Sequence, residues 1–359
     1  MSSNNQKQFQ HHSLKSILYI TLAFTVLLLG IGSSNRDKVI STDIIHSFKT
    51  SSSKALQSIQ TFRVNLIRGS SIHTMVNQSS TKADVYFLSH GGPPTVEQTY
   101  SDPFKAWQTF GKIINSNPPK GIVAVSAHWE NDRGLGGSEG VIVNSNSSNP
   151  LIYDFYNFPK RLYELKFRST FTPELESTVL DALKSSGISF SREDRGFDHG
   201  VWIPFKAAFG ESTQIPIIQV SLPTSSDPRA SVKLGRALSK VRDEGYTVVA
   251  TGQSVHNLRD LFTGQRMPYT KPFLNLLNQS LSSPDPISST IDILRTPLYK
   301  KSHPTDEHFY PLFVALGALD KEEYRNKKDL ISGVWDAQGM PAEDEGLGWS
   351  MYRWSTGQQ

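Results

Sequence analysis

The chain has 359 residues, 37% of them apolar and 19% charged, which is enough for one large domain with a sizeable core or two small ones. Its net charge of +4 is spread without a basic block, so nucleic acid is not an implied partner. Cysteine is absent, which excludes disulfides, thiolate zinc sites and thiol nucleophiles; any metal must be held by His, Asp or Glu.

Residues 1–16 form a polar, basic tail with Lys7, His11, His12 and Lys15. Ile17 to Ile31 is uncharged and mostly apolar. At about 15 residues it falls between a signal-peptide core and a membrane span of roughly 17–25. The basic flank favours an inside N-terminus. We read residues 17–32 as a signal anchor in a membrane, with the rest of the chain lumenal or extracellular. A signal peptide that is cleaved to release a secreted protein, or a buried helix of a soluble fold, are the alternatives. Sequons at Asn77, Asn146 and Asn278 agree with a lumenal placement but recur by chance. Residues 33–83 are Ser-rich and read as a stalk or linker.

From Asp84 the pattern changes, and residues 84–359 read as the catalytic domain. Val85 to Leu88 is a buried-strand run ending at Ser89-His90-Gly91-Gly92-Pro93-Pro94. Pro103 to Asn115 has helical spacing, with Phe104, Trp107, Phe110 and Ile114 on one side. Gly121 to Val125 is the most apolar strand run and opens into Ser126-Ala127-His128-Trp129-Glu130. Val141 to Val143 is a further strand, and Pro173 to Ser186 a helix. Asp198-His199 sits in a turn flanked by Gly196 and Gly200. Ile215 to Leu222 is a central strand, and Ala230 to Glu244 an amphipathic helix stopped by Gly245. The strand Tyr246 to Ala250 runs towards Gly252, where glycine frees the backbone to turn, and on to His256-Asn257-Leu258-Arg259. Thr305 or Asp306 can cap a helix carrying His308, Leu312 and Leu316. Gly333 to Trp354 closes the sheet edge. Alternating strands and helices predict a single α/β domain with a central, mostly parallel sheet flanked by helices.

Six of the ten histidines lie in this domain: His90, His128, His199, His256, His303 and His308. His90, His128 and His256 follow strand runs, and ligands in open α/β sheets sit outside the carboxyl ends of strands. Converging imidazoles point to a divalent metal of the Zn, Fe or Mn type. Asp198 is placed to orient His199, and Glu130 and Glu307 are further carboxylates beside histidines. For Glu307 we favour an ordinary charge at a helix start.

These residues resemble the class III extradiol ring-cleavage dioxygenases, in the 4,5-DOPA dioxygenase-like subgroup. The resemblance lies in FLSHGGPP (Phe87 to Pro94), VSAHWE (Val125 to Glu130), IYDFYNFP (Ile152 to Pro159), GFDHGVWIP (Gly196 to Pro204), HNLR (His256 to Arg259) and HPTDEHFYPL (His303 to Leu312). It implies Fe(II) for catalysis, with Zn(II) able to occupy the same site. It implies His90, His128 and His308 as metal ligands, with His303 as the substitute for the third. It implies His256 as the acid/base group or a fourth ligand, and His199 as a catalytic histidine on the substrate side. Asn257 and Arg259 follow His256 closely enough to hold its ring or an acidic substrate side chain. Tyr153, Phe155, Tyr156 and Phe158 are placed to wall an aromatic ring. HNLR resembles the widespread form of the family rather than the variant of betalain-pigment plants, which argues against carrying DOPA itself over as substrate.

The implied partners are a small aromatic catechol and O2. The reaction opens the ring beside the two hydroxyl-bearing carbons. Two other readings use the same residues: a zinc hydrolase with a metal-bound water, and a membrane-tethered binding protein that keeps the old site. The residues specify no oligomeric state.

Overall fold

The computed structural model describes residues 82–224 and 226–356. The basic tail, the apolar segment 17–32 and nearly all of the stalk lie outside the described residues. Among the described residues, no helix is long and apolar enough to cross a membrane.

Nine strands form one sheet: β1 (Val85–Ser89), β2 (Gly121–Glu130), β3 (Val141–Asn144), β4 (Arg168–Thr170), β5 (Phe190–Glu193), β6 (Ser212–Leu222), β7 (Tyr246–Gly252), β8 (Lys327–Trp335) and β9 (Leu347–Trp354). Their order is β5-β3-β6-β2-β7-β1-β9-β8, with β4 pairing on β6. The centre, β6-β2-β7-β1, is parallel throughout. Antiparallel contacts join β3 to β6 on one side and β9 to β1 on the other. The sheet is therefore mixed, with a parallel heart. Its strands are β-branched and buried on both faces, as in the continuous burial of Gly121 to Ala127. β8 and β9 close the edge at the stretch where the sequence predicts closure.

Among the described residues nine helices accompany it: α1 (Asp102–Ser116), α2 (Pro173–Ser185), α3 (His199–Phe209), α4 (Pro228–Asp243), α5 (Leu258–Phe262), α6 (Thr270–Leu281), α7 (Pro286–Ile293), α8 (Pro297–Ser302) and α9 (Tyr310–Gly317). α1 begins where Ser101 accepts the Phe104 N–H, and it buries Phe104, Trp107, Phe110 and Ile114 as its spacing predicts. It packs with α3, while α4 packs with α2 and α9.

Two expectations need correction here. His308 does not ride on a helix: α9 starts at Tyr310, so His308 lies in the turn before it. His199 is not simply in a turn, because it is the first residue of α3.

The domain holds residues just before the expected boundary. Lys82 pairs with Asp320 at 2.9 Å, and the buried Arg242 guanidinium bonds the Ala83 carbonyl while pairing with Glu323.

Candidate active site

β1, β7 and β2 are neighbours and run parallel, so their carboxyl ends share one edge. His90 follows the last residue of β1, and its N–H donates to the Gly252 carbonyl at 3.0 Å. Gly91 then turns in the left-handed region (φ +57°), where a Cβ would lie 2.2 Å from the Trp349 ring. β2 extends past the predicted Val125 to Glu130, with an irregular register against β6 that carries His128 to the same edge. Ser126 Oγ donates to Asp198 at 2.7 Å and accepts the His128 N–H at 3.1 Å, which fixes that irregularity.

His308 comes from sequence far away and is placed by its backbone. Its carbonyl accepts the Gln253 N–H at 2.8 Å. Gly252 makes this possible, since a Cβ there would lie 2.3 Å from the same carbonyl oxygen. Close approach, rather than freedom to turn, is therefore the reason for glycine; Gly252 is not among the glycines with positive φ. The Gln253 side chain, fully buried, accepts from Gly91 N–H and donates to the Gly348 carbonyl. It ties the two histidine turns to β9, and sequence reasoning passed it over.

The result is a trio of imidazoles. His90 Nε2 lies 3.1 Å from His128 Nε2, and His308 Nε2 lies 3.3 Å from the same atom. Burial, then the neighbouring rings, holds His90 and His308 well below the ordinary imidazole range. Burial also pulls His128 down to about 4. Neutral rings with facing nitrogens offer lone pairs rather than charge. Nitrogen ligands ~2.0–2.1 Å from one metal ion sit ~3.0–3.4 Å from each other, so the spacing fits a metal ion.

Glu307 Oε1 lies 2.9 Å from His308 Nδ1. A carboxylate only accepts, so Nδ1 carries the proton and Nε2 is left free. Glu307 is therefore an orienting partner of His308, not the ordinary helix-start charge expected for it.

His199 stands against His128, ring centroids 4.0 Å apart. Its carboxylate partner is not Asp198. Asp198 is wholly buried and engaged by Ser126, Gln219 and Arg195. The partner is Asp154, whose Oδ1 accepts the His199 backbone N–H at 2.9 Å and lies 3.0 Å from His199 Nδ1. Burial alone would raise Asp154, but the His199 and His128 rings and the His199 N–H outweigh it and hold it below the usual carboxylate range. Asp154 is the lone carboxylate of the aromatic stretch Ile152 to Pro159, which is the signal that could have found it.

His256 is half-buried and stacks on His308. Burial lowers it to about 4 against the opposing pull of Glu307. His303 is not brought to the cluster. It packs among Phe273, Tyr299 and Phe309, with Nε2 donating to the Ser254 carbonyl at 2.9 Å. Glu130 is exposed at the end of β2. Asn257 caps α5 and donates to the Lys301 carbonyl, so its side chain is already committed. Arg259 is exposed, and neither residue lines the cavity beside the histidines.

That cavity has a volume of about 440 Å³ and is bounded by His90, His128, His199, His256 and His308 at its base. Of the four aromatic residues expected to wall it, Phe155, Tyr156 and Phe158 do so. Tyr153 instead packs against Trp202 and donates to the Leu165 carbonyl. Trp335 and Trp349, brought by β8 and β9, complete the wall and were not foreseen.

A profile of the family described as the catalytic LigB subunit of aromatic ring-opening dioxygenase matches residues 84–347. A 4,5-DOPA dioxygenase extradiol of Beta vulgaris is 33% identical over 257 residues, covering 70% of this chain and 92% of the relative. A protein of the same description from Escherichia coli strain K12 is 32% identical over 252 residues, covering 68% and 88%. The crystal structure of an uncharacterised Escherichia coli K12 protein superposes with a TM-score of 0.57 at 25% identity, over 76% of this chain and 99% of that one. These similarities favour ring opening over hydrolysis, and over a site that has lost its chemistry. The chain belongs to the aromatic ring-opening dioxygenase family, in its 4,5-DOPA dioxygenase-like subgroup, and is a metal-dependent extradiol dioxygenase acting on an aromatic substrate with O2.

Proposed function

We propose that the enzyme uses Fe(II) to open a catechol, with His90, His128 and His308 holding the metal. The observation that carries this reading is the set of facing Nε2 atoms, 3.1 and 3.3 Å apart on neutral rings, of which His90 and His308 are buried. Bound there, a ferrous ion would supply open positions and a path for electrons from an ionised catechol to O2.

The remaining work falls to the chain's own residues. His256 lines the cavity and is neutral at pH 7, so its lone pair can take a catechol proton and later return it. His199, anchored through Asp154, stands on the substrate side and steadies a substrate oxygen. Phe155, Phe158 and Trp349 hold the ring and keep water from the reacting carbons. Asn257 and Arg259 lie off the cavity lining and take no part in this substrate contact.

Zinc suits an all-nitrogen set as well, so the test loads each metal in turn. Protein loaded anaerobically with Fe(II) should convert catechols, on admission of air, to yellow semialdehydes with matching O2 uptake. Zn(II)-loaded protein should not. An Fe(II)-loaded protein that binds catechols and opens none would overturn the proposal. Alanine at His90 or His128 should abolish metal retention, and full metal occupancy in both variants would overturn the ligand set.

The membrane anchor at residues 17–32 and a lumenal or extracellular catalytic domain are part of the same proposal, motivated by the basic flank and the apolar run. Fractionation of the full-length chain tests them. A fully soluble protein with no glycan at Asn146 would count against both.

A further inference from the structure

We propose that the cavity selects a catechol whose side chain is apolar and uncharged, and discriminates against one bearing a carboxylate; this rests on the ring-opening reading of the same site. Among the described residues that line the cavity there is no Lys and no Arg. The charged lining residues other than histidine are Asp154 and Asp336, both acids. Asp336 is fixed facing its own turn, accepting the N–H groups of Gln338 and Met340 at 2.9 Å.

Some of the backbone donors nearest the histidines are already engaged. α3 begins at the cavity, but its first N–H is already taken by the Asp154 carboxylate. α5 begins beside His256, and Asn257 Oδ1 occupies its Asp260 N–H. After Gly92 the wall continues as Pro93 and Pro94, which have no N–H to give. The Gly91 N–H is held by Gln253. A carboxylate on the side chain would lose its water with no Lys or Arg among the described lining residues to pair with it, and with Asp154 as a like charge nearby.

The mouth carries the opposite signal. Tyr156 and Phe262 are 81% and 74% exposed, and both line the cavity. With Leu258 and Leu261 they form an apolar rim that gains contact only when something apolar lies across it. The substrate named for the Beta vulgaris and Escherichia coli relatives, DOPA, carries a carboxylate, so the proposal predicts a different preference for the present chain.

The experiment compares two probes of equal chain length, 4-propylcatechol and 3,4-dihydroxyphenylpropanoate, on the full-length Fe(II)-loaded protein. Anaerobic calorimetry gives both dissociation constants, and turnover in air gives both values of kcat/KM. The propyl compound should bind at least about tenfold more tightly, and kcat/KM should follow. Equal or tighter binding of the carboxylate would overturn the proposal. Because binding is read without O2, a protein that binds the propyl compound selectively yet opens neither probe would overturn ring opening alone. Phe262→Arg puts a cation on the exposed rim and should narrow the ratio by about tenfold. A ratio unmoved by that change would show that rim charge does not govern choice, and would also overturn the proposal.

Discussion

The imidazole of His256 lies face to face with that of His308, ring centroids 3.4 Å apart and planes 8° from parallel. A ring nitrogen's lone pair lies in the plane of its ring, so two near-parallel stacked rings direct their lone pairs along separate lines. His308 faces His128 through Nε2 at 3.3 Å, while His256 meets His308 through its ring face, with a ring nitrogen within 4.8 Å of the His308 and Glu307 ligand atoms. The stacking fits the proposed role of His256 as a base beside the metal, and the variant below separates that role from ligation.

His256→Gln should therefore keep its metal and its anaerobic catechol binding while turnover falls by roughly 10²–10⁴-fold. The pH-rate profile should lose one limb. Metal content, calorimetry and steady-state rates check the three parts separately. A variant that emerges metal-free would make His256 a ligand, and His199 would be the next base to test.

The two carboxylates that orient histidines should separate by readout. Glu307→Gln disturbs the hydrogen on His308 Nδ1 and should weaken metal affinity by about 10–100-fold. Asp154→Asn disturbs His199, and a fall of similar size, ~10–100-fold, is expected in kcat with metal content unchanged. Competition with a chelator and steady-state kinetics give the two numbers. Equal effects of both variants on metal affinity would contradict the division of labour.

Gly252→Ala should be costly although the site is a strand end. The added methyl would meet the His308 carbonyl at 2.3 Å, and that carbonyl also holds the Gln253 N–H. Overpacking of this kind costs ~1–3 kcal/mol. A lower melting temperature together with faster metal loss is expected, since the displaced residue is a proposed ligand. A fall in stability with metal affinity intact would mean that the turn yields without moving the ring.

Acid should destabilise the metal-free protein. His128 and His256 are held at about 4 by burial, and His90 and His308 are also held well below their ordinary value. The unfolded chain titrates near ~6.5 and so binds more protons than the folded one below that pH. The contribution is fully present above the unfolded value and is lost as pH falls towards the folded values. Melting temperature should drop by at least about 5 °C between pH 7 and pH 5. A flat profile across that window would show that these rings are not held neutral in the folded protein.

The strand-then-histidine pattern was legible because it is local. Apolar runs such as Gly121 to Val125 specify a buried strand wherever they occur, and the residue after a parallel strand falls at the ligand-binding edge. His90 and His128 follow from that alone. Partnership between side chains was not local, and there adjacency misled. Asp198 precedes His199 in sequence, yet the backbone entering α3 turns its carboxylate to Ser126 and Gln219, and Asp154 takes the place beside His199. His303 and His308 look alike as strings, but packing puts one among aromatic rings and the other against His128. The long stretch from Leu258 to Ser302 folds into four helices, and the three shortest start on side-chain caps at Asn257, Asp285 and Thr296, too brief a signal to outweigh the irregular apolar spacing between them. By itself the sequence determined an α/β domain and the histidines at the ends of β1 and β2. Only the tertiary structure decided which carboxylate orients which ring and what charge the cavity wall carries, because both depend on segments that meet through packing and not through the chain.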